Sequence, residues 1–218
     1  MLKEFIRAAK QNWGNSWKEI NFRKKTVAGF FMLVIIVAFF PMFFHYIEQR
    51  SGYTLNDWLL LKIPAVDISV PIFILIWSTV LLALINAFKN PQFLLTLLYA
   101  YCLLCICRYI SISMVPLEAP QGLIPLADPL SNRAYGNVFI TKDLFFSGHT
   151  STLFLIYLCL YNKTAKYFAL AATILTGVFL LIQHVHYTID VVIAPVFAWM
   201  VYLLAGKLSS TAEKRGDQ

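Results

Sequence analysis

From Thr26 to Tyr46 the chain runs without one charged side chain, and further apolar runs follow it. A bilayer's hydrocarbon core asks for about 20 apolar residues per helix. Inside it every backbone N–H and C=O has to be paired within the helix or around a closed barrel. These runs therefore predict membrane-crossing helices near Thr26–Tyr46, Ile68–Phe88, Gln92–Met114, Phe146–Tyr161, Ala165–His184 and Ile189–Gly206. The fourth is short by the bilayer ruler and is expected to tilt less or start deeper in the membrane. With 59% hydrophobic and 13% charged residues among 218, the chain carries more apolar surface than a soluble domain hides. The expected fold class is all-α, a multi-pass bundle of six transmembrane helices.

Ahead of the first run, Leu2, Phe5, Ile6, Ala9, Trp13 and Trp17 fall at helical spacing, with Lys3, Arg7, Lys10 and Lys18 mostly elsewhere on the wheel. This predicts an amphipathic helix on the membrane surface, stopped at the interface by Arg23, Lys24 and Lys25. The expected organisation is a basic N-terminal segment over residues 1–25, a membrane domain over 26–206 and a polar tail over 207–218. The first apolar run is too long for a signal core and lacks a small-residue cleavage site, so it is expected to stay as a transmembrane helix.

Charge sets the expected topology. With the N-terminus inside, thirteen basic residues fall on the cytoplasmic side (Lys3, Arg7, Lys10, Lys18, Arg23, Lys24, Lys25, Lys89, Lys163, Lys166, Lys207, Lys214, Arg215). Four fall opposite (Arg50, Lys62, Arg133, Lys142), and Arg108 lies within a span. The positive-inside rule then puts both termini in the cytoplasm. The net charge of +7 is explained by this distribution, and no nucleic-acid partner is expected. The sequon Asn162-Lys163-Thr164 falls on the inner face and is expected to be silent. Cys102, Cys105, Cys107 and Cys159 all lie in apolar runs and read as small core hydrophobes; no second pair completes a zinc site around Cys102 and Cys105.

Two polar segments interrupt this pattern, Ser147-Gly148-His149-Thr150 and His184-Val185-His186-Tyr187-Thr188-Ile189-Asp190. Ionisable residues at a membrane boundary are costly and point to function. The topology gathers His149, His186 and Asp190 on the non-cytoplasmic face, with Arg108 and Tyr109 near the outer end of the third span. Phosphoryl transfer through a covalent intermediate needs a nucleophile, an orienting group, a proton donor and positive charge. His186 and Asp190 share a face if both lie on one helix, so the carboxylate takes one ring proton and frees the other nitrogen. His149 then serves as general acid, since an imidazole titrates near about 6.5. Ser147 is a candidate helix cap, and the free N–H groups behind it suit a phosphate oxygen. His45 reads as an interfacial residue. A histidine-based metal centre is not expected, because the chain has four histidines.

Phe146-Ser147-Gly148-His149-Thr150 and His184-Val185-His186-Tyr187-Thr188-Ile189-Asp190-Val191 resemble the two signature segments of the sphingomyelin synthase family, a branch of the type 2 phosphatidic acid phosphatase superfamily. Asp143 is similar to the aspartate that precedes the first segment, and Arg108-Tyr109 to the family's arginine segment. The resemblance implies His186 as nucleophile, Asp190 as its orienting partner and His149 as acid and later base. It implies substrate-binding roles for Arg108, Tyr109, Asp143, Ser147 and Gly148. The implied reaction moves a phosphocholine or phosphoethanolamine head group from a glycerophospholipid to ceramide and releases diacylglycerol, with no metal or other cofactor. Short loops suggest a compact bacterial relative in the inner membrane.

Lipid phosphatases of the superfamily carry an arginine where this chain has Leu180 and a proline where it has Phe146. A phosphomonoester carries about −1.5 to −2 charge and favours several cations. A diester carries one negative charge, which Arg108, with Lys142 as a second candidate, is expected to match. Glu118 either folds over the site, touches an amine head group, or is an exposed loop carboxylate with no role; His184 is a second-tier contact. Leu55-Asn56-Asp57 is a weak echo of the family's segment after the first span. The rival expectations are a hydrolase using water as acceptor, on lipid phosphates or as a phospholipase C, and a non-catalytic lipid transporter or scaffold.

Overall fold

A computed structural model describes residues 2–126 and 140–210; Arg133, Lys214 and Arg215 lie outside the described residues. Among them are seven α-helices: α1 (Leu2–Lys18), α2 (Ile20–Gln49), α3 (Ser69–Lys89), α4 (Pro91–Met114), α5 (Gly148–Cys159), α6 (Lys163–Ile182) and α7 (Thr188–Ser209). Five of these, α2, α3, α4, α6 and α7, are long and apolar enough to cross a membrane. The fold is an all-α membrane bundle, as the apolar runs predict.

The fourth run behaves differently from the rest. Helix α5 has 12 residues, or about 18 Å at ~1.5 Å per residue, against a hydrocarbon core of about 30 Å. It starts late because Phe145 and Phe146 remain in the loop, and it ends where Leu160 turns to an extended conformation. Packed on α4, α6 and α7, it places its N-terminal end at the polar site.

The amphipathic segment is also shorter than its charge pattern suggests. Helix α1 stops at Lys18, Glu19 is extended, and Ile20–Lys25 already form the start of α2. At the end of the bundle where α3 gives way to α4, α1 docks through buried Ala9. Trp13 Nε1 donates to Phe88 O (2.9 Å) and Asn12 Nδ2 to Lys89 O (3.2 Å). Those carbonyls belong to the last turn of α3, which has no helical donors left for them.

Asn90 alone separates α3 from α4, and its side chain accepts from Gln92 N (3.0 Å) and Phe93 N (3.3 Å) with Pro91 at the first helical position. The core lies where α4, α5 and α7 meet, around Leu104, Phe146, Leu155 and the small face of α7 formed by Ala194, Ala198, Val201 and Ala205. Small residues at helical spacing let backbones approach closely, which drives helix association in lipid. Gly29 gives α2 the same access to α4: a Cβ there would stand 2.8 Å from Leu98 Cδ2. At the same end of the bundle Lys25 Nζ donates to Leu208 O (2.8 Å) and Ser210 O (2.5 Å), closing the C-terminus of α7. The outward faces of α2 and α3 expose Phe31, Val34, Val70 and Ile74 to the lipid position.

Candidate active site

The turn between α6 and α7 carries the second polar segment. Gln183 is fully buried and fixes it, with Nε2 donating to Ser69 Oγ (2.8 Å) and Ile124 O (3.2 Å), and Oε1 accepting from Ile68 N (3.3 Å). His184 follows with φ +55°, a left-handed conformation that reverses the chain. As a result His184 and His186 face different spaces. The ring nitrogens of His184 meet Gln121 O (2.8 Å) and Ile63 O (2.9 Å), so this residue clasps two loops rather than facing the space that His186 faces.

His186 sits in the turn ahead of α7, not on the helix as its spacing to Asp190 suggests. Asp190 is in the first turn of α7 and reaches back in the manner of an acidic capping residue. Its Oδ2 accepts from Tyr187 N (3.1 Å) and lies 3.4 Å from His186 Nδ1. The pair is buried, with side-chain exposures of 4% and 0%. A proton on Nδ1 directed at this carboxylate leaves Nε2 as the nitrogen with a lone pair.

The first polar segment opens α5. Ser147 Oγ accepts from Thr150 N (3.4 Å), the cap its sequence predicts, and Ser147 N donates to Asp190 O (3.0 Å), joining the two segments. Ser147 itself is fully buried and does not line the cavity. Arg108, on α4, pairs with Asp143, and its guanidinium lies 6.0 Å from the Phe146 ring centroid. Phe146 in turn stacks on Phe197 at 4.3 Å. Gly148 permits this approach, since a Cβ there would stand 1.7 Å from Arg108 Nη1.

One cavity of about 350 Å³ collects Arg108, Asp143, Gly148, His149, Thr152 and His186 along its polar side. Its apolar wall comes from Phe40, Phe43 and Phe44 of α2, Phe73, Ile76 and Val80 of α3, and Tyr101 and Leu104 of α4. Tyr109 also lines it, donating its hydroxyl to Ile36 O (2.7 Å) while its ring packs on Phe39, Phe40 and Phe43. Arg108 is the one permanent cation among the described lining residues.

Lys142 is committed elsewhere, donating from Nζ to Glu118 Oε1 (2.9 Å) and Arg50 O (2.6 Å). Glu118 also accepts from Gly52 N (2.8 Å). The bond from the Lys142 ammonium holds the Glu118 carboxyl below its ordinary range. Neither residue lines the cavity; together they staple the loop around Arg50 and Gly52 to the segments that carry them.

Asp57 is a residue whose importance sequence reasoning missed. Its carboxylate accepts from Thr188 N (2.6 Å), Thr188 Oγ1 (3.0 Å), Leu59 N (3.1 Å) and Leu60 N (3.4 Å). A loop far away in sequence thus caps the start of the helix that carries Asp190. Burial alone would raise the Asp57 carboxyl, but these hydrogen bonds outweigh it and hold the group below its usual value. A depressed carboxyl adds stability above its unfolded pKa of about 3.9 and loses it as the pH falls through the folded value. Asp57→Asn is therefore expected to lower the melting temperature by several degrees at pH 7, the loss of a cap costing about 1 kcal/mol. The gap between the two melting curves should stay nearly constant down to about pH 4 and close as the pH falls further, through the lowered pKa of the folded state; a gap that persists unchanged to about pH 2 would show that the charge is irrelevant.

Residues 142–207 match the family model described as PAP2 superfamily C-terminal. The match holds Asp143, Ser147, Gly148, His149, His186 and Asp190, leaves Arg108 outside, and covers less than a third of the chain. No curated protein matches the chain. The match supports a place in the PAP2 superfamily and an enzyme of phosphatase or phosphotransferase type acting on phosphate esters, with lipids as fitting partners for a membrane protein.

Proposed function

We propose that this chain is a lipid phosphotransferase that carries a phospho-head-group from a glycerophospholipid to ceramide or a similar lipid alcohol. The observation that carries the reading is the cavity itself. Two histidines and one arginine stand at its polar side, and aromatic and aliphatic side chains of α2, α3 and α4 form its wall. A soluble phosphate ester has no use for such a wall, whereas a lipid needs both parts.

In this mechanism His186 Nε2 attacks the phosphorus of the donor diester, forming a P–N bond as the P–O bond to the glycerol oxygen breaks. His149 gives its proton to that oxygen, releasing diacylglycerol. The acceptor hydroxyl then enters, His149 removes its proton, and the new P–O bond displaces His186. Asp190 holds the imidazole with Nε2 forward throughout and offsets the charge it gains. Arg108 faces the single negative charge of the diester, paired with Asp143 between turnovers. With the N-terminus in the cytoplasm, as the lysine and arginine distribution favours, the reaction takes place at the outer surface of the membrane.

The test uses the purified chain in vesicles containing phosphatidylcholine labelled in its head group, with and without ceramide, and a parallel series with phosphatidylethanolamine. Label is expected to move to ceramide with one diacylglycerol formed per transfer. Release of free phosphocholine at the same rate whether or not ceramide is present would identify water as the acceptor and overturn the transferase reading. Label that stays in the donor in every series would remove head-group transfer altogether.

A further inference from the structure

Among the described residues four buried side-chain polar atoms have no hydrogen-bond partner, and three of them are Asp190 Oδ1, Thr150 Oγ1 and Thr176 Oγ1. The segments that carry them are brought to one junction of α5, α6 and α7 by the close approach at Gly177 and the bond from Ser147 to Asp190. Gly177 of α6 lies at its centre: a Cβ there would stand 2.8 Å from Val191 Cγ1 and 3.8 Å from Thr150 Oγ1. Val191 adjoins Asp190 on α7, Thr176 adjoins Gly177 on α6, and Thr150 is on α5. The bond from Ser147 N to Asp190 O (3.0 Å) draws the first turn of α5 onto the same spot.

Other buried threonines in the bundle solve their hydrogen bonding locally. Thr26 donates to Phe22 O (2.9 Å), Thr79 to Leu75 O (2.8 Å) and Thr173 to Ala169 O (2.7 Å), each one helical turn back. Thr150 and Thr176 do not. Each hydroxyl has a proton to give, and the Asp190 carboxylate, fully buried, has an oxygen with nothing to accept. A charge buried with an unpaired oxygen is costly, and donors and an acceptor brought to one junction answer one another.

The geometry points to Thr150 and Thr176 as positioning residues for Asp190, their hydroxyls donating to Oδ1 by a turn about χ1 or through one bridging water. Oδ1 is then held from behind while Oδ2 keeps the Tyr187 amide and faces His186 Nδ1. The carboxylate plane is fixed from both sides, and with it the aim of the His186 ring. The inference rests on the reading of His186 as the group that takes the phosphoryl.

Thr150→Val and Thr176→Val remove the hydroxyls at nearly constant volume, and Thr150→Ser and Thr176→Ser restore them. Two readouts apply: head-group transfer kinetics, and hydrogen–deuterium exchange at the Tyr187 amide, which senses the grip of Asp190 without substrate. Each valine variant is expected to exchange Tyr187 about tenfold faster and to lose about tenfold in kcat with KM unchanged, the serine variants staying near wild type. Where valine blocks folding, Thr150→Ala and Thr176→Ala carry the same comparison. Folded valine or alanine variants that keep Tyr187 protection and kcat within about twofold of wild type would overturn the assignment. A wild-type chain that moves no head group would sink the transferase reading, and the exchange measurement would still decide this one.

Discussion

Replacement of His186 by alanine is expected to reduce head-group transfer by about 10⁴-fold or more, the scale seen when a covalent nucleophile is deleted. Binding is expected to survive, because the cavity walls and Arg108 are untouched. The other imidazole among the described lining residues, His149, belongs to α5 and has the acid–base role in the proposed mechanism, so it does not stand in for the lost nucleophile. The alanine variant should also fail to accumulate acid-labile phosphoprotein when labelled donor is mixed with enzyme in the absence of acceptor. The fold should hold, since the lost imidazole leaves Asp190 its bond from Tyr187 N. Label transfer within about tenfold of wild type by a folded His186→Ala protein would end the covalent mechanism.

Gly148→Ala is expected to have the second largest effect, about 10²-fold on transfer, from the addition of one methyl group. The added carbon would meet the Arg108 guanidinium at 1.7 Å from Nη1 and 2.5 Å from Cζ. A free arginine tip would swing away at little cost. This one is paired with Asp143, faces the Phe146 ring and is 12% exposed, so moving it breaks its contacts and takes the cavity's positive charge out of register. The melting temperature should change little, because the strain falls on a side chain at the cavity edge and leaves the α4–α5–α7 core intact. The discriminating pair of measurements is transfer rate against melting temperature. Full activity in Gly148→Ala would mean that the guanidinium works equally well from another position.

The bundle was largely legible in the sequence because lipid imposes one long-wavelength signal, the apolar run, that needs no knowledge of tertiary contacts. The two histidine segments stood out for the same reason: a polar cluster at the end of an apolar run is visible without a partner. What escaped was pairing across the chain. Asp57 has no local mark of importance, and only the fold brings it to Thr188 N. Lys142 read as a cation for the site until its bonds to Glu118 and Arg50 claimed it. His186 falls between the fifth and sixth expected spans and lies in the turn there, after a left-handed residue at His184, so it and Asp190 do not share a helix. The contact between them formed anyway, through helix-start geometry rather than a shared helical face.

The cavity draws its chemistry and its shape from different stretches of polypeptide. Both histidines that line it come from the stretch after Lys142, whereas most of the apolar lining comes from earlier in the chain, above all from α2, α3 and α4. Taste and reactivity are thereby encoded separately. Substitutions at Phe40, Phe73, Ile76 or Val80 reshape the cavity wall and leave His186, Asp190 and the turn that joins them as they are.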